Sequence, residues 1–157
     1  MSDKPAQPIP DEDELSRLIF ARSVSPEDLD YIELDPFEFP SDLRRTNYHR
    51  AESVVWRAIC ASDDEVNALG CAKEADKRAA GKDQLYLGAR SATVGAIRAQ
   101  KTTRGHEFAV KHYPKEGDWH AHIIMERSDI KYNKQDKSDV RALMQDLFGP
   151  RRDHRCT

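Results

Sequence analysis

The stretch from Phe108 to Glu126, FAVKHYPKEGDWHAHIIME, decides the fold, because two apolar-rich runs flank a turn that contains proline and glycine. Turns of this length and composition commonly join antiparallel strands, so the stretch predicts a β-hairpin. If Tyr113 lies opposite Trp119, then His112 lies opposite His120, whereas a slip of one residue would move His112 to the other face. Because side chains along a strand alternate between the two faces of a sheet, we expect His112, His120 and His122 to share one face.

Three imidazoles on one face are a candidate metal site, since neutral imidazole binds divalent transition metals such as zinc. The same rings titrate near neutral pH and are candidate acids or bases, with Glu116, Asp118 or Glu126 in support. A histidine pair in a half-buried strand is also typical of a polar or interfacial face. No cofactor and no catalytic residue are therefore assigned on this pattern alone.

His120-x-His122 followed by Glu126 resembles part of the first metal-binding motif of the cupin family. The resemblance covers this strand only, because Pro114 stands where that family places a glycine. The chain also lacks the many short strands that a jelly-roll barrel requires. We therefore do not transfer the metal chemistry of that family to this chain.

Length and composition predict one ordinary domain. The chain has 157 residues, of which 38% are hydrophobic and 34% charged, so we expect a modest core over residues 13–148. Residues 1–12 are expected to be a disordered tail, and residues 149–157 a basic C-terminal tail. No apolar run is long enough to span a bilayer, and the N-terminus does not resemble a secretory signal. These observations predict a soluble, cytoplasmic protein that does not bind membranes.

The three cysteines are odd in number and widely spaced. Cys60, Cys71 and Cys156 form no Cys-x-x-Cys pair. Free, reduced thiols are the simplest expectation for such a set.

The remaining elements follow from hydrophobic periodicity and from capping residues. They predict an α+β domain with a mixed or antiparallel sheet of about four to five strands and two to three helices packed on one face. The expected strands outside the hairpin are Arg17 to Arg22, Glu52 to Cys60 and Gln84 to Leu87. The expected helices are Asp63 to Ala80, Ala92 to Gln100 and Asp139 to Leu147, which begin after Ser62, Ser91 and Ser138, and a short helix that begins at Ser25-Pro26 and is ended by Leu34-Asp35-Pro36.

The first helix carries a narrow stripe of small residues that we expect to pack closely against the sheet. The stripe comprises Ala68, Cys71, Ala72, Ala75 and Ala79.

Arg90, Ser91 and Arg98 form a candidate anion site, because Ser91 stands where a helix would expose its first amides. Together with Arg44 and Arg45 they suggest a nucleic acid or nucleotide as a possible partner. The basic residues are dispersed and not interleaved with aromatics, so this partner is not favoured.

Three readings of function remain from the sequence, and nucleic-acid or nucleotide binding is the weakest of them. The favoured one is a small accessory or adaptor protein without catalysis of its own, because no nucleophile and base pair is evident. A protein partner is the expected ligand, since residues 1–40 hold eleven acidic and three basic side chains. The alternative is a metal- or histidine-dependent hydrolase that uses His112, His120 and His122.

Overall fold

The structure is a computed structural model that describes residues 5–25, 30–33, 52–125 and 134–157. Arg44, Arg45 and Glu126 lie outside the described residues. None of the described helices is both long enough and apolar enough to cross a membrane. In chain order the elements are β1 (Glu14–Ser25), β2 (Asp30–Glu33), β3 (Glu52–Trp56), α1 (Asp63–Ala79), β4 (Leu85–Thr93), α2 (Val94–Arg98), β5 (Phe108–His112), β6 (His120–Met125), α3 (Lys134–Leu147) and β7 (Arg152–Asp153).

The strands form one antiparallel sheet, which confirms the predicted α+β class. Six strands follow the order β5-β6-β3-β1-β4-β7, and β2 pairs with the C-terminal half of β1. The described strands outnumber the expected four to five because there are two very short ones, β2 with 4 residues and β7 with 2. The sequence predicted a short helix where β2 lies, and that prediction was wrong because Asp30–Glu33 pairs with β1. Strands this short show no alternation of apolar and polar residues, so their sequences do not predict them.

The sheet is covered on both faces, whereas the sequence predicted helices on one face. One core joins α2 and α3 to the sheet through residues that include Leu15, Val54, Ile97, Ile123 and Met144. The other core joins α1 to the opposite face through residues that include Leu18, Val55, Val66 and Tyr86. Consecutive apolar residues such as Val54 and Val55 point to opposite faces, so both faces require cover.

The β5–β6 hairpin forms as predicted, but its register is shifted by one residue. His112 pairs with Ala121, and Val110 pairs with Ile123. This register aligns apolar residues of both strands on the α3 face, whereas the predicted one would set Val110 against His122. A one-residue shift reverses the face of one strand relative to the other. His112 therefore lies on the opposite face from His120 and His122.

Strand β4 is longer than predicted, and Ser91 lies within it instead of capping a helix. The strand passes through Gly88, whose φ of 129° fits glycine, and a register shift occurs at this point. Helix α2 begins only at Val94, and the Thr93 hydroxyl accepts a hydrogen bond from the Ala96 amide at 3.4 Å.

Helix α1 begins at the predicted cap, where the Ser62 hydroxyl accepts a hydrogen bond from the Glu65 amide at 3.1 Å. The predicted alanine stripe does not form its inner face. The buried residues are instead Val66, Gly70 and Glu74. Gly70 leaves room for the ring of Tyr86, and Glu74 accepts a hydrogen bond from the Tyr86 amide at 2.9 Å. These long-range contacts decide the inner face more strongly than periodicity does.

Both ends of the described chain pack onto the domain rather than forming free tails. Ile9 is 3% exposed, and its carbonyl accepts a hydrogen bond from Arg98 at 2.7 Å. At the other end, β7 pairs with β4, and Cys156 forms a disulfide with Cys71 of α1. The expectation of three free thiols was wrong, because the fold brings together cysteines that are 85 positions apart. Cys60 is the free and buried thiol.

Candidate active site

Two neighbouring strands place a serine hydroxyl against a histidine ring. In the antiparallel pair of β3 and β6, Ser53 lies opposite His122 and Val55 lies opposite His120. Ser53 is therefore the diagonal neighbour of His120 on the α1 face of the sheet. The Ser53 Oγ and the His120 Nε2 are 2.7 Å apart. A hydroxyl in hydrogen-bond contact with an imidazole is the unit of a nucleophile and its base.

A carboxylate from the hairpin turn faces the other nitrogen of the same ring. The Glu116 Oε2 is 3.7 Å from the His120 Nδ1, and the Glu116 side chain is 60% exposed. The buried Nδ1 has no hydrogen-bond partner, and both the charge of Glu116 and the backbone carbonyl of Tyr113 favour a proton on the ring. A proton on Nδ1 leaves Nε2 free to accept the hydrogen of the Ser53 hydroxyl. The Ser53–His120–Glu116 set thus has the order of a catalytic triad.

The His120 ring is almost fully enclosed by other rings. It is 2% exposed and lies 5.7 Å from Tyr113, 5.2 Å from Trp119 and 4.7 Å from His122, measured between ring centroids. Desolvation by burial lowers the pKa of His120 below its ordinary value of 6.5, and the nearby charge of Glu116 partly opposes this shift. The ring is therefore neutral at neutral pH, which is the protonation state that a general base requires.

His122 supports this arrangement through its ring contacts. Its ring stacks on Tyr113 with a centroid distance of 4.5 Å and meets His120 edge to face. Tyr113 in turn is covered by the Lys115 ammonium at 5.4 Å from its ring centroid. These contacts restrict how the His120 ring can turn.

His112 is separate from this site, which corrects the predicted three-histidine cluster. Its Nε2 lies 2.7 Å from the carbonyl of Asp118, to which it donates, and its Nδ1 accepts from the Gln7 amide at 3.0 Å. Its ring packs edge-on against Trp56. Among the described residues no set of three or more histidine, cysteine, aspartate or glutamate side chains is placed to hold a metal ion. The structure brings together only His120 and His122 of the three predicted ligands.

The predicted anion site is also not assembled. Arg90 donates to the carbonyls of Phe148 and Gly149 at 2.6 and 2.8 Å, where it caps the end of α3. Arg98 donates to Ile9, Val110 and the Asp11 carboxylate, and Ser91 is paired with Ser16 at 2.8 Å between hydroxyl oxygens. The predicted helix N-terminus at Ser91 is absent because Ser91 belongs to β4. These three side chains hold the fold together at separate places.

Sequence reasoning named Glu116 and His120 but missed Ser53. Ser53 and His120 are 67 positions apart, and they meet only because β3 pairs with β6. The one local indication is a serine next to the apolar residues of strand β3. No protein-family model, curated protein or solved structure matches this chain, so its function has to be inferred from the geometry of its own residues.

Proposed function

We propose that this chain is a histidine-dependent hydrolase of the serine type. Ser53 acts as the nucleophile, His120 as the general base, and Glu116 orients the ring and stabilises its charged form. The observation that carries the proposal is the 2.7 Å contact between the Ser53 hydroxyl and the His120 Nε2, made by a ring that burial keeps neutral. Carboxylic esters are the simplest substrates for such a pair.

The proposed reaction proceeds in two balanced steps. The Ser53 Oγ attacks the ester carbonyl carbon while its proton passes to the His120 Nε2. The bond from carbon to the alcohol oxygen then breaks, and the imidazolium returns the proton to the leaving alcohol. Water attacks the resulting acyl-enzyme, gives its proton to Nε2 and releases the carboxylic acid, after which Ser53 regains its proton. Glu116 moves from 3.7 Å into hydrogen-bond distance of Nδ1 when the ring is charged.

This proposal develops the alternative reading of the sequence, a metal- or histidine-dependent hydrolase. It keeps His120 but replaces His112 and His122 by Ser53 and Glu116. The accessory reading rested on the lack of a nucleophile and base pair, and Ser53 with His120 meets the geometric requirement for one. The reading that invoked nucleic acid loses support, because Arg90 and Arg98 donate to carbonyl and carboxylate groups of the fold.

A fluorophosphonate ester and p-nitrophenyl butyrate test the proposal on the purified full chain. We expect the fluorophosphonate to form a covalent adduct on Ser53, located by peptide mass spectrometry. We expect Ser53→Ala and His120→Gln to lower kcat/KM for the butyrate ester at least a hundredfold, the range for removing a nucleophile or base.

Ser138→Ala is the matched control, because Ser138 is an exposed serine of α3 far along the chain from β3. This variant should hydrolyse the ester at the wild-type rate. Circular dichroism establishes that each variant is folded. A folded Ser53→Ala variant with wild-type hydrolysis, or an adduct on another residue, would overturn the proposal.

A further inference from the structure

An apolar groove lies beside the proposed catalytic residues. It is formed where the first turns of α1 meet the chain after β3, and it has a volume of about 420 Å³. Its lining consists of Ile59, Cys60, Glu65, Ala68, Leu69 and Trp119, here called the α1 groove. Glu65 contributes the only charged group, and its carboxylate is engaged by the Ala61 amide at 3.1 Å as part of the helix cap. The groove thus presents an almost wholly apolar lining.

The rim of the groove exposes an aliphatic side chain to water. Ile59 is 45% exposed and is the one large hydrophobic residue classed as exposed in the part of the chain that the structure describes. Burying an isoleucine side chain is favourable by about 1.5–3 kcal/mol, so leaving it in water forgoes stability. An exposed apolar residue at the rim of an apolar groove is typical of a ligand site.

The groove shares a wall with the proposed catalytic residues. The Trp119 ring lines the groove and lies 5.2 Å from the His120 ring, and the Lys73 ammonium lies 5.6 Å from the Trp119 ring centroid. Val55 stands opposite His120, and Ser53 is two residues along the same strand. The Ser53 hydroxyl is 2.7 Å from His120 Nε2, so the His120 ring lies between Ser53 and the shared wall.

We infer that the α1 groove binds the apolar acyl group of the substrate, so that the enzyme prefers esters of medium-length aliphatic acids. The inference rests on the proposed function, because it places the ester carbonyl at Ser53 with the acyl chain directed past Trp119. The volume and apolar lining suit a chain of several methylene groups, and each methylene removed from water strengthens binding.

The test compares p-nitrophenyl acetate, butyrate and hexanoate as substrates. We expect kcat/KM for the hexanoate ester to exceed that for the acetate ester at least tenfold in the wild type. Ala68→Phe fills the groove from an exposed position of α1, so it should lower kcat/KM for the hexanoate ester at least tenfold and abolish this preference. Ala72→Phe is the matched control, because Ala72 is exposed one turn further along α1 and does not line the groove.

Hexanamide binding to the Ser53→Ala variant supplies a second readout without catalysis. We expect binding by calorimetry that is lost when Ala68→Phe is added. Equal kcat/KM for all three esters in the wild type and in Ala68→Phe would contradict acyl binding in the α1 groove. It would not contradict the catalytic roles of Ser53 and His120. Wild-type rates no higher than those of Ser53→Ala on every ester would overturn the proposed function. In that case the binding experiment decides whether the groove is an acyl site. Hexanamide binding that is lost in Ala68→Phe would support the acyl site, and a lack of hexanamide binding would contradict it.

Discussion

His112 and His120 belong to the same hairpin but have different roles, and their hydrogen bonds explain why. His112 uses both ring nitrogens to join the Gln7 amide and the Asp118 carbonyl, so it has no lone pair or proton left for chemistry. His120 contacts Ser53 with its Nε2, and its Nδ1 lies 3.7 Å from the Glu116 carboxylate. A shift of one residue in the hairpin register produces this difference, because it sends the two rings to opposite faces.

Replacing Glu116 by glutamine tests whether its charge acts on His120. The charge of Glu116 raises the pKa of the ring, whereas burial, the larger effect, lowers it below 6.5. In the wild type we therefore expect kcat/KM for p-nitrophenyl butyrate to rise with pH through a value below 6.5 and to level off above it. Glu116→Gln removes the opposing charge, so this limb should move to lower pH. The plateau should fall about tenfold, or about 1.4 kcal/mol of transition-state stabilisation.

Glu107→Gln is the control for this charge effect. Glu107 is exposed and pairs with Lys101 at 3.1 Å, and it is not among the groups that shift the pKa of His120. Its removal should leave the pH profile in place. A limb that stays at the wild-type pH in Glu116→Gln would show that the carboxylate does not act on His120.

Replacing His112 by alanine separates a structural histidine from a catalytic one. The substitution removes a buried ring packed on Trp56 and leaves the Gln7 amide without its acceptor. We expect the free energy of unfolding in urea to fall by about 2–4 kcal/mol. Ester hydrolysis per folded molecule should stay within about threefold of wild type. Lys111→Ala, at the exposed neighbouring position, should change neither the free energy of unfolding nor the rate of ester hydrolysis. A hundredfold loss of activity in folded His112→Ala would contradict a purely structural role for His112.

At the scale of elements, local patterns predicted some features and failed for others, since Ser91 lies in β4 and Ser138 lies inside α3, which begins at Lys134, instead of capping helices. The cap at Ser62, the amphipathic stripe of α3 with Val140 and Met144, and the β5–β6 turn all depend on residues close in sequence, and each forms. The pairing of β3 with β6 and the burial of Gly70 depend on partners far along the chain. No periodicity encodes such partners, so Ser53 and the true inner face of α1 were missed.

Gly70→Ala tests the contact that sets the inner face of α1. Alanine is favoured over glycine in a helix by about 1 kcal/mol, which alone would stabilise the protein. A Cβ at position 70, however, would overlap the fully buried ring of Tyr86. Overpacking typically costs about 1–3 kcal/mol, so after the gain in helix propensity we expect a net loss of up to about 2 kcal/mol in urea unfolding.

A second substitution shows whether the Tyr86 ring causes that loss. In the Tyr86→Leu background the ring is gone, so Gly70→Ala should become neutral or stabilising. An equal loss in both backgrounds would place the cause elsewhere. The exposed position Ala72 gives the reference for propensity alone, since Ala72→Gly should cost about 0.5–1 kcal/mol.

At the scale of the whole molecule, the two chain ends hold the layers together. The N-terminal residues lie over α2 through Ile9 and Asp11, and the C-terminal strand β7 extends the sheet beside β4. Arg152 of β7 also reaches Asp63 at the start of α1, at 3.0 Å. The disulfide between Cys71 and Cys156 joins the residues after β7 covalently to α1. Disulfides persist mainly in oxidising compartments, and this bond therefore does not support the cytoplasmic location that the sequence predicted.

Reducing this disulfide should lower the stability of the fold, because the C-terminal residues are then no longer linked covalently to α1. The bond closes a loop across 85 positions with the two Cα atoms 5.7 Å apart, and such cross-links stabilise by about 2–4 kcal/mol, largely through the unfolded chain. We expect a reductant to lower the Tm of the wild type by roughly 10 °C. Cys71→Ser should show the lower Tm with or without reductant. Thiol titration of the unreduced, denatured wild type should find Cys60 alone reactive, and three reactive thiols would contradict the cross-link.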